Sequence, residues 1–311
     1  MSNKHLLSLF DMQSADIVSL IERTLLRKKG RLDGERPLEG KAVGIYFRKT
    51  STRTRTAFTL GAQRLGASVV VYGPGDLQIN TGETLEDTAR VLSGFIDALV
   101  LRTAESLDEM QILAAQEKMS VINAMSDQEH PTQALADLAT LQEHFGHLSD
   151  LHMLYLGEGN STAAALALAI SRIPAMKLTM LTPEGYGLPE DIYKQAQVFA
   201  GKHGASVEEY HSLDALPGAV DVVYTTRWQT TGSSKADPDW RESFWPFSVT
   251  RSLMKRVTKS TGTIFMHDLP AVRNEEVVPE VLDGPQSIAF QQAHNKLFGA
   301  MAVLEWCILG R

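Results

Sequence analysis

The sequence predicts an α/β protein of two doubly wound parallel-sheet domains joined by interdomain helices. Three observations predict it. Short apolar runs recur along the 311 residues, at 43–47, 69–72, 98–101, 121–124, 152–156, 177–181, 220–224 and 263–266. Helical patterns separate most of them, as in strands joined by crossover helices. Polar clusters follow several of the runs, where open α/β sheets bind ligands. A hydrophobic content of 43% allows a sizeable core.

In order, residues 1–30 read as helical on Leu6, Leu7, Phe10, Ile17, Leu20 and Ile21, with Ser14 or Asp16 as cap of the second helix. A buried strand at 43–47 runs into Ser51-Thr52-Arg53-Thr54-Arg55, and a helix follows with Phe58, Ala62 and Leu65 on one face. There the first helical N–H groups lack partners and the helix dipole is positive, so the stretch reads as an anion site. Arg53 and Arg55 add forked donors suited to phosphate, more than a capped helix start requires. A second short buried strand at 69–72 ends at Gly73-Pro74-Gly75-Asp76. A polar loop at 77–84, a helix at 85–95, a strand ending at Arg102 and a strand at 121–124 come next. His130-Pro131-Thr132-Gln133 opens a helix to His144, with Pro131 in the first turn where its missing N–H costs nothing.

Gly146 stops that helix, so the boundary falls there: 1–146 as one domain, 147–290 as the second, and 291–311 as a C-terminal helix packing back on the first. In the second half, Gly157-Glu158-Gly159-Asn160-Ser161-Thr162 turns a strand into an Ala-rich helix. A helix near 192–203 precedes a strand that runs into Thr225-Thr226-Arg227-Trp228-Gln229, and 233–247 reads as an irregular excursion. The last strand ends at His267-Asp268-Leu269-Pro270.

The net charge of −7 argues against nucleic acid as the main partner, and the basic cluster at 51–55 then suits a small phosphorylated ligand. The single cysteine, Cys307, excludes an intrachain disulfide and points to a reducing, cytoplasmic setting. No run of 18 apolar residues occurs, so no membrane span is expected.

Ser51–Arg55, His130-Pro131-Thr132-Gln133 with Leu135 and Asp137, and His267-x-Leu269-Pro270 together resemble the aspartate/ornithine carbamoyltransferases over nearly the whole chain. The segments at 83–93 and 283–287 are similar to the ornithine branch. The resemblance implies attack of an amine on carbamoyl phosphate with phosphate leaving, without metal or organic cofactor. It implies that Ser51, Thr52, Arg53 and Thr54 hold phosphate while Arg55 is structural. Arg102 would reach phosphate and carbonyl oxygen, His130 would donate to that oxygen, and Gln133 and the Leu269 carbonyl would hold the carbamoyl NH2. Leu269-Pro270 is expected to be cis. A homotrimer is implied too, with the 77–84 loop reaching a neighbouring site.

On the acceptor side the chain differs from both branches. Where the ornithine branch carries two asparagines, Asn160 is followed by Ser161. Its Asp-x-Trp-x-Ser-Met-Gly is Thr226-Arg227-Trp228-Gln229-Thr230-Thr231-Gly232, and its His-Cys-Leu-Pro carries Asp268. Thr226-Arg227-x-Gln229 resembles the aspartate branch, where the arginine holds a carboxylate, but that branch's loop lysine is Thr81 here. A phosphate-facing arginine of many relatives is Lys296. These residues predict an acceptor with an amine near Asp268, which pairs with it or takes its proton, and a carboxylate near Arg227. The ornithine and aspartate enzymes proper are alternatives, as is a carbamoyl-phosphate-binding protein without catalysis. Gly157-Glu158-Gly159 begins a dinucleotide fingerprint but lacks its third glycine. Cys307 reads as core packing.

Overall fold

Two parallel sheets carry the chain in a computed structural model that describes residues 4–103, 105–230 and 234–311. It divides into two units: one comprises the residues up to Ala139 together with His294–Arg311, the other is Thr140–Ala293. Residues 1–3 of the N-terminal helical reading, Thr231 and Gly232 of the acceptor segment, and Ser233 of the excursion lie outside the described residues.

In the first unit, α1 (Ser14–Lys28) buries Ile17, Leu20, Ile21 and Thr24. Gln13 takes its N-cap position with no side-chain bond, so neither Ser14 nor Asp16 caps it. Then follow β1 (Ala42–Phe47), α2 (Arg53–Arg64), β2 (Ser68–Tyr72), α3 (Leu85–Leu92), β3 (Ala98–Arg102), α4 (Asp108–Ala114) and β4 (Ser120–Met125). The strand order is β2-β1-β3-β4, all parallel. β2 is therefore an edge strand, not a buried one: Val70 and Val71 are exposed. A core of Tyr46, Leu92, Ile96, Leu99, Leu101 and Leu113 covers one sheet face. Each such fully buried aliphatic side chain contributes about 1.5–3 kcal/mol. α5 (Pro131–Phe145) ends at Gly146, whose φ of +80° suits a residue without Cβ.

The second unit contains β5 (His152–Leu156), α6 (Ser161–Ile170), β6 (Lys177–Leu181), α7 (Glu190–His203), β7 (Ser206–Tyr210), β8 (Val222–Thr225), α8 (Arg241–Phe244), α9 (Arg251–Val257), β9 (Ile264–His267) and α10 (Pro279–Leu282). Its order is β7-β6-β5-β8-β9, all parallel. The excursion at 233–247 is partly regular, since it contains α8 and a 3-10 turn at Trp245–Phe247. β7 escapes a hydrophobicity reading because only Val207 of its five residues is buried. Every residue of α6 is buried, as expected of a helix apolar all round. α11 (Ala289–Leu309) closes the chain. The division between units falls inside α5 and inside α11. No helix among the described residues is long and apolar enough to cross a membrane.

In each sheet the chain winds outward from one strand and then returns to its other side. The reversal lies between β1 and β3 in the first unit and between β5 and β8 in the second. A doubly wound sheet opens a crevice at the carboxyl ends of such strands.

Candidate active site

The first unit brings its candidate residues to those carboxyl ends. Thr52 occupies the N-cap position of α2, and its hydroxyl makes no capping bond. Arg53, Thr54 and Arg55 form the first turn, Thr54 is buried, and Ser51 is half-buried. Arg55 turns back: its guanidinium lies 5.5 Å from the Phe47 ring and donates to the Phe47 carbonyl at 3.4 Å. That geometry makes it a support of the strand end. Arg48 likewise is engaged by Glu105 and Glu109. Arg102 ends β3 where its register with β4 shifts, and it is buried.

His130 begins α5 from a loop that is tied down. Ser126 N donates to the Glu129 carbonyl at 3.0 Å, and the buried Glu129 carboxylate accepts from Leu9 N at 2.7 Å and from the Ser8 hydroxyl. The His130 ring is buried, with Thr132 Oγ1 3.4 Å from Nδ1. Burial, reinforced by the like charges of Lys296, Arg102 and Arg53, holds its pKa well below the ordinary imidazole value. A neutral ring near pH 7 has one N–H to donate. The same cations mark the positive field around it. One turn on, Gln133 is clamped: its Nε2 donates to Asp137 Oδ1 at 2.8 Å and its Oε1 accepts from Lys296 Nζ. All three are buried.

In the second unit the candidate residues leave three neighbouring strands, β5, β8 and β9. Asn160 caps α6, its Oδ1 accepting from Thr162 N at 3.0 Å and Ala163 N at 3.2 Å, and Ser161 is buried beside it. Beyond β8, Thr226 is buried, and Arg227, Gln229 and Thr230 are half-buried. Among the described residues Arg227 has no ion pair. Asp268 Oδ1 accepts from Thr226 Oγ1 at 2.8 Å and Oδ2 from Thr162 Oγ1 at 3.0 Å. Two hydroxyl donors suit an ionised carboxylate. His267 is scaffolding: its Nδ1 accepts from Leu269 N at 2.8 Å and its Nε2 lies 3.2 Å from the buried Glu276. The Leu269-Pro270 bond is cis. Gly157-Glu158-Gly159 is a packed turn: a Cβ on Gly159 would lie 2.2 Å from the Gly187 carbonyl carbon.

Sequence reasoning missed two contributors. Thr162 and Glu129 sit in a plain helix start and a loop, and their partners are far along the chain.

Known proteins resemble both halves of the chain. The profile of the family described as "Aspartate/ornithine carbamoyltransferase, carbamoyl-P binding domain" matches residues 4–143, and the "Asp/Orn binding domain" profile matches 149–307. The ornithine carbamoyltransferase of Methanobrevibacter smithii is 38% identical over 304 residues, 98% of each chain. Among solved structures, the ornithine carbamoyltransferase from Pyrococcus furiosus superposes with a TM-score of 0.93 at 36% identity, covering 100% of this chain and 98% of its own. That from Gloeobacter violaceus gives 0.86 at 33% identity, with 98% of each chain covered. With both halves matched in order and relatives alike over their whole length, this chain belongs to the aspartate/ornithine carbamoyltransferase family and is a carbamoyltransferase.

Proposed function

We propose that the enzyme carbamoylates an amine of a small amino-acid-like acceptor, bound with an amine at Asp268 and a carboxylate at Arg227. The pair of threonine hydroxyls on Asp268 carries this reading. The resemblance puts an acidic residue at position 226 of the ornithine branch. Here that carboxylate is gone, yet a carboxylate one hydrogen bond away, at 268, takes its charge. Arg227 supplies the forked donor that a carboxylate needs.

In this reading Ser51, Thr52, Arg53 and Thr54 hold the phosphate of carbamoyl phosphate at the start of α2. Lys296 adds charge and clamps Gln133 for the carbamoyl NH2. The acceptor nitrogen forms a bond to the carbamoyl carbon as its proton passes to Asp268 or water. Negative charge gathers on the carbonyl oxygen, where Arg102 and neutral His130 donate. Collapse breaks the bond to the phosphate oxygen and releases inorganic phosphate. One such preorganised donor is worth about 10²–10³ in kcat. Asn160, Ser161, Gln229 and Thr230 orient the acceptor.

Ornithine as the acceptor is the second reading, favoured by the names of the relatives. Phosphate release measured across a panel of amines and amino acids separates the two. Ornithine as best substrate, with Asp268→Asn without effect, defeats the first reading. No heat on titrating carbamoyl phosphate into the enzyme defeats both. We further propose a homotrimer in which the 77–84 loop serves a neighbouring copy. The exposed Val70 and Val71 of edge strand β2 support self-association. A fully active monomer in sizing and dilution assays defeats it.

A further inference from the structure

One cation of the second unit is enclosed without belonging to any residue set above. Lys235 pairs with Glu158, and its side chain is only 9% exposed. Its Nζ lies 4.9 Å from the ring centroid of Tyr186, 5.2 Å from Phe244 and 5.3 Å from Trp240. Three ring faces and a carboxylate make an alkylammonium box, and the lysine is its resident.

The walls of the box are fastened to both groups of acceptor candidates. On one side, Gly159 N donates to the Tyr186 carbonyl at 2.8 Å, and Tyr155 Oη donates to the Glu158 carbonyl at 2.5 Å. That turn delivers Asn160 to the start of α6. On the other side, Phe244 lies 5.4 Å from the ring of Trp228, which is fully buried between Arg227 and Gln229 in sequence. Trp228 also backs onto the turn: a Cβ on Gly157 would lie 3.5 Å from its Cδ1. The box thus sits where the β5–α6 turn and the end of β8 are packed against common aromatic rings.

We propose that Lys235 is a positioning residue for the acceptor: seated against Glu158, Tyr186, Phe244 and Trp240, it holds the Asn160 turn and the Arg227 strand end in one geometry. This rests on the reading of Asn160 and Arg227 as acceptor contacts. Without the ammonium, Glu158 loses its partner and the rings lose the charge that draws them together. The turn and strand end then sample other arrangements, and acceptor binding bears the loss.

The test uses Lys235→Ala, Lys235→Met and Lys235→Arg. Steady-state kinetics are run at saturating carbamoyl phosphate with L-ornithine and with the best amine of the panel. Lys235→Ala and Lys235→Met are expected to raise the acceptor KM about tenfold or more, the scale of a misplaced binding group. Carbamoyl phosphate affinity by calorimetry stays unchanged. Lys235→Arg stays near the parent. n-Propylammonium, which restores the atoms that Lys235→Ala removes, lowers the raised KM. An unchanged KM in Lys235→Ala overturns the proposal. A raised KM with no propylammonium rescue, accompanied by weaker carbamoyl phosphate binding or a lower melting temperature, also overturns it, as a merely structural role. If Lys235→Ala does not fold, Glu158→Gln replaces it and must raise the acceptor KM without touching carbamoyl phosphate affinity. An Arg227→Ala enzyme with unchanged acceptor KM, beside a rescued Lys235→Ala, points to failure of the acceptor reading instead.

Discussion

Thr226 donates its hydroxyl to Asp268 Oδ1 at 2.8 Å, linking the ends of the neighbouring strands β8 and β9. Position 226 carries no charge, so Asp268 is the carboxylate at this point. Asp268→Asn keeps the shape and removes the charge. The acceptor KM is expected to rise about 10–100-fold, the scale of a lost charge-assisted bond, while carbamoyl phosphate affinity holds. Thr226→Asp combined with Asp268→Cys returns the charge to the position it has in the ornithine branch. That double variant is expected to shift kcat/KM toward ornithine relative to the parent. Steady-state kinetics check both.

Gly159 tests the turn itself. A methyl group there would lie 2.2 Å from the backbone of Gly187, a distance no side-chain rotation relieves. Gly159→Ala must push the β5–α6 turn away from the 186–188 loop. We expect weaker acceptor binding and a loss of about 1–3 kcal/mol from overpacking, seen in denaturant unfolding. Carbamoyl phosphate affinity, measured by titration, is expected to be unchanged.

The architecture was readable where each strand is buried on both faces, because parallel strands then spell continuous apolar runs, as 98–101 and 153–156 do. It was not readable at sheet edges. β2 has the same apolar letters as an inner strand but lies outermost, and β7 carries Glu208 and Glu209, which hide it. The stretch at 51–55 stood out because its donors are consecutive. The partners of Asp268 did not: it accepts from the hydroxyls of Thr162 and Thr226, 106 and 42 residues away. The Lys235 box draws its rings from 186, 240 and 244. Such partnerships exist only after strand order is known.

Glu305 bears on stability rather than chemistry. Its fully buried carboxylate accepts from Arg23 Nε at 2.9 Å and also pairs with Arg27. Burial pushes its pKa up, but the two guanidiniums outweigh that and hold it below the ordinary value. Glu305→Ala leaves the buried Arg27 with only Glu35 at 3.6 Å and the Leu32 carbonyl as partners, and is expected to cost about 3 kcal/mol by denaturant unfolding. For a carboxyl with a depressed folded pKa, stability is present above the unfolded pKa and is lost as pH falls through the folded one. The parent is therefore expected to lose stability on acidification below about pH 4.5, and the variant to lose less of it.

His130 gives the pH dependence of the phosphate-binding side. Its folded pKa lies well below the unfolded value, chiefly by burial and then by the charges of Lys296, Arg102 and Arg53. Between the two values the unfolded chain binds the extra proton and the folded chain does not. Stability is thus fully present above about pH 6.5 and declines as pH falls below it, by at most about 1.4 kcal/mol per pH unit from this residue. His5 and His152 are shifted in the same direction by burial, so the quantity to measure is the difference between the parent and His130→Asn. The variant is expected to be less sensitive to acid over that window and to lose about 10²–10³ in kcat, if its ring donates to the carbonyl oxygen. Lys296→Met removes one of the repelling charges and releases the Gln133 amide. It is expected to raise the His130 pKa, move the acid limb of kcat/KM to higher pH, and weaken carbamoyl phosphate binding about 10–100-fold. An acid limb that stays in place in Lys296→Met, with the His130 ring resonance titrating as before, would show that the lysine does not hold the imidazole neutral.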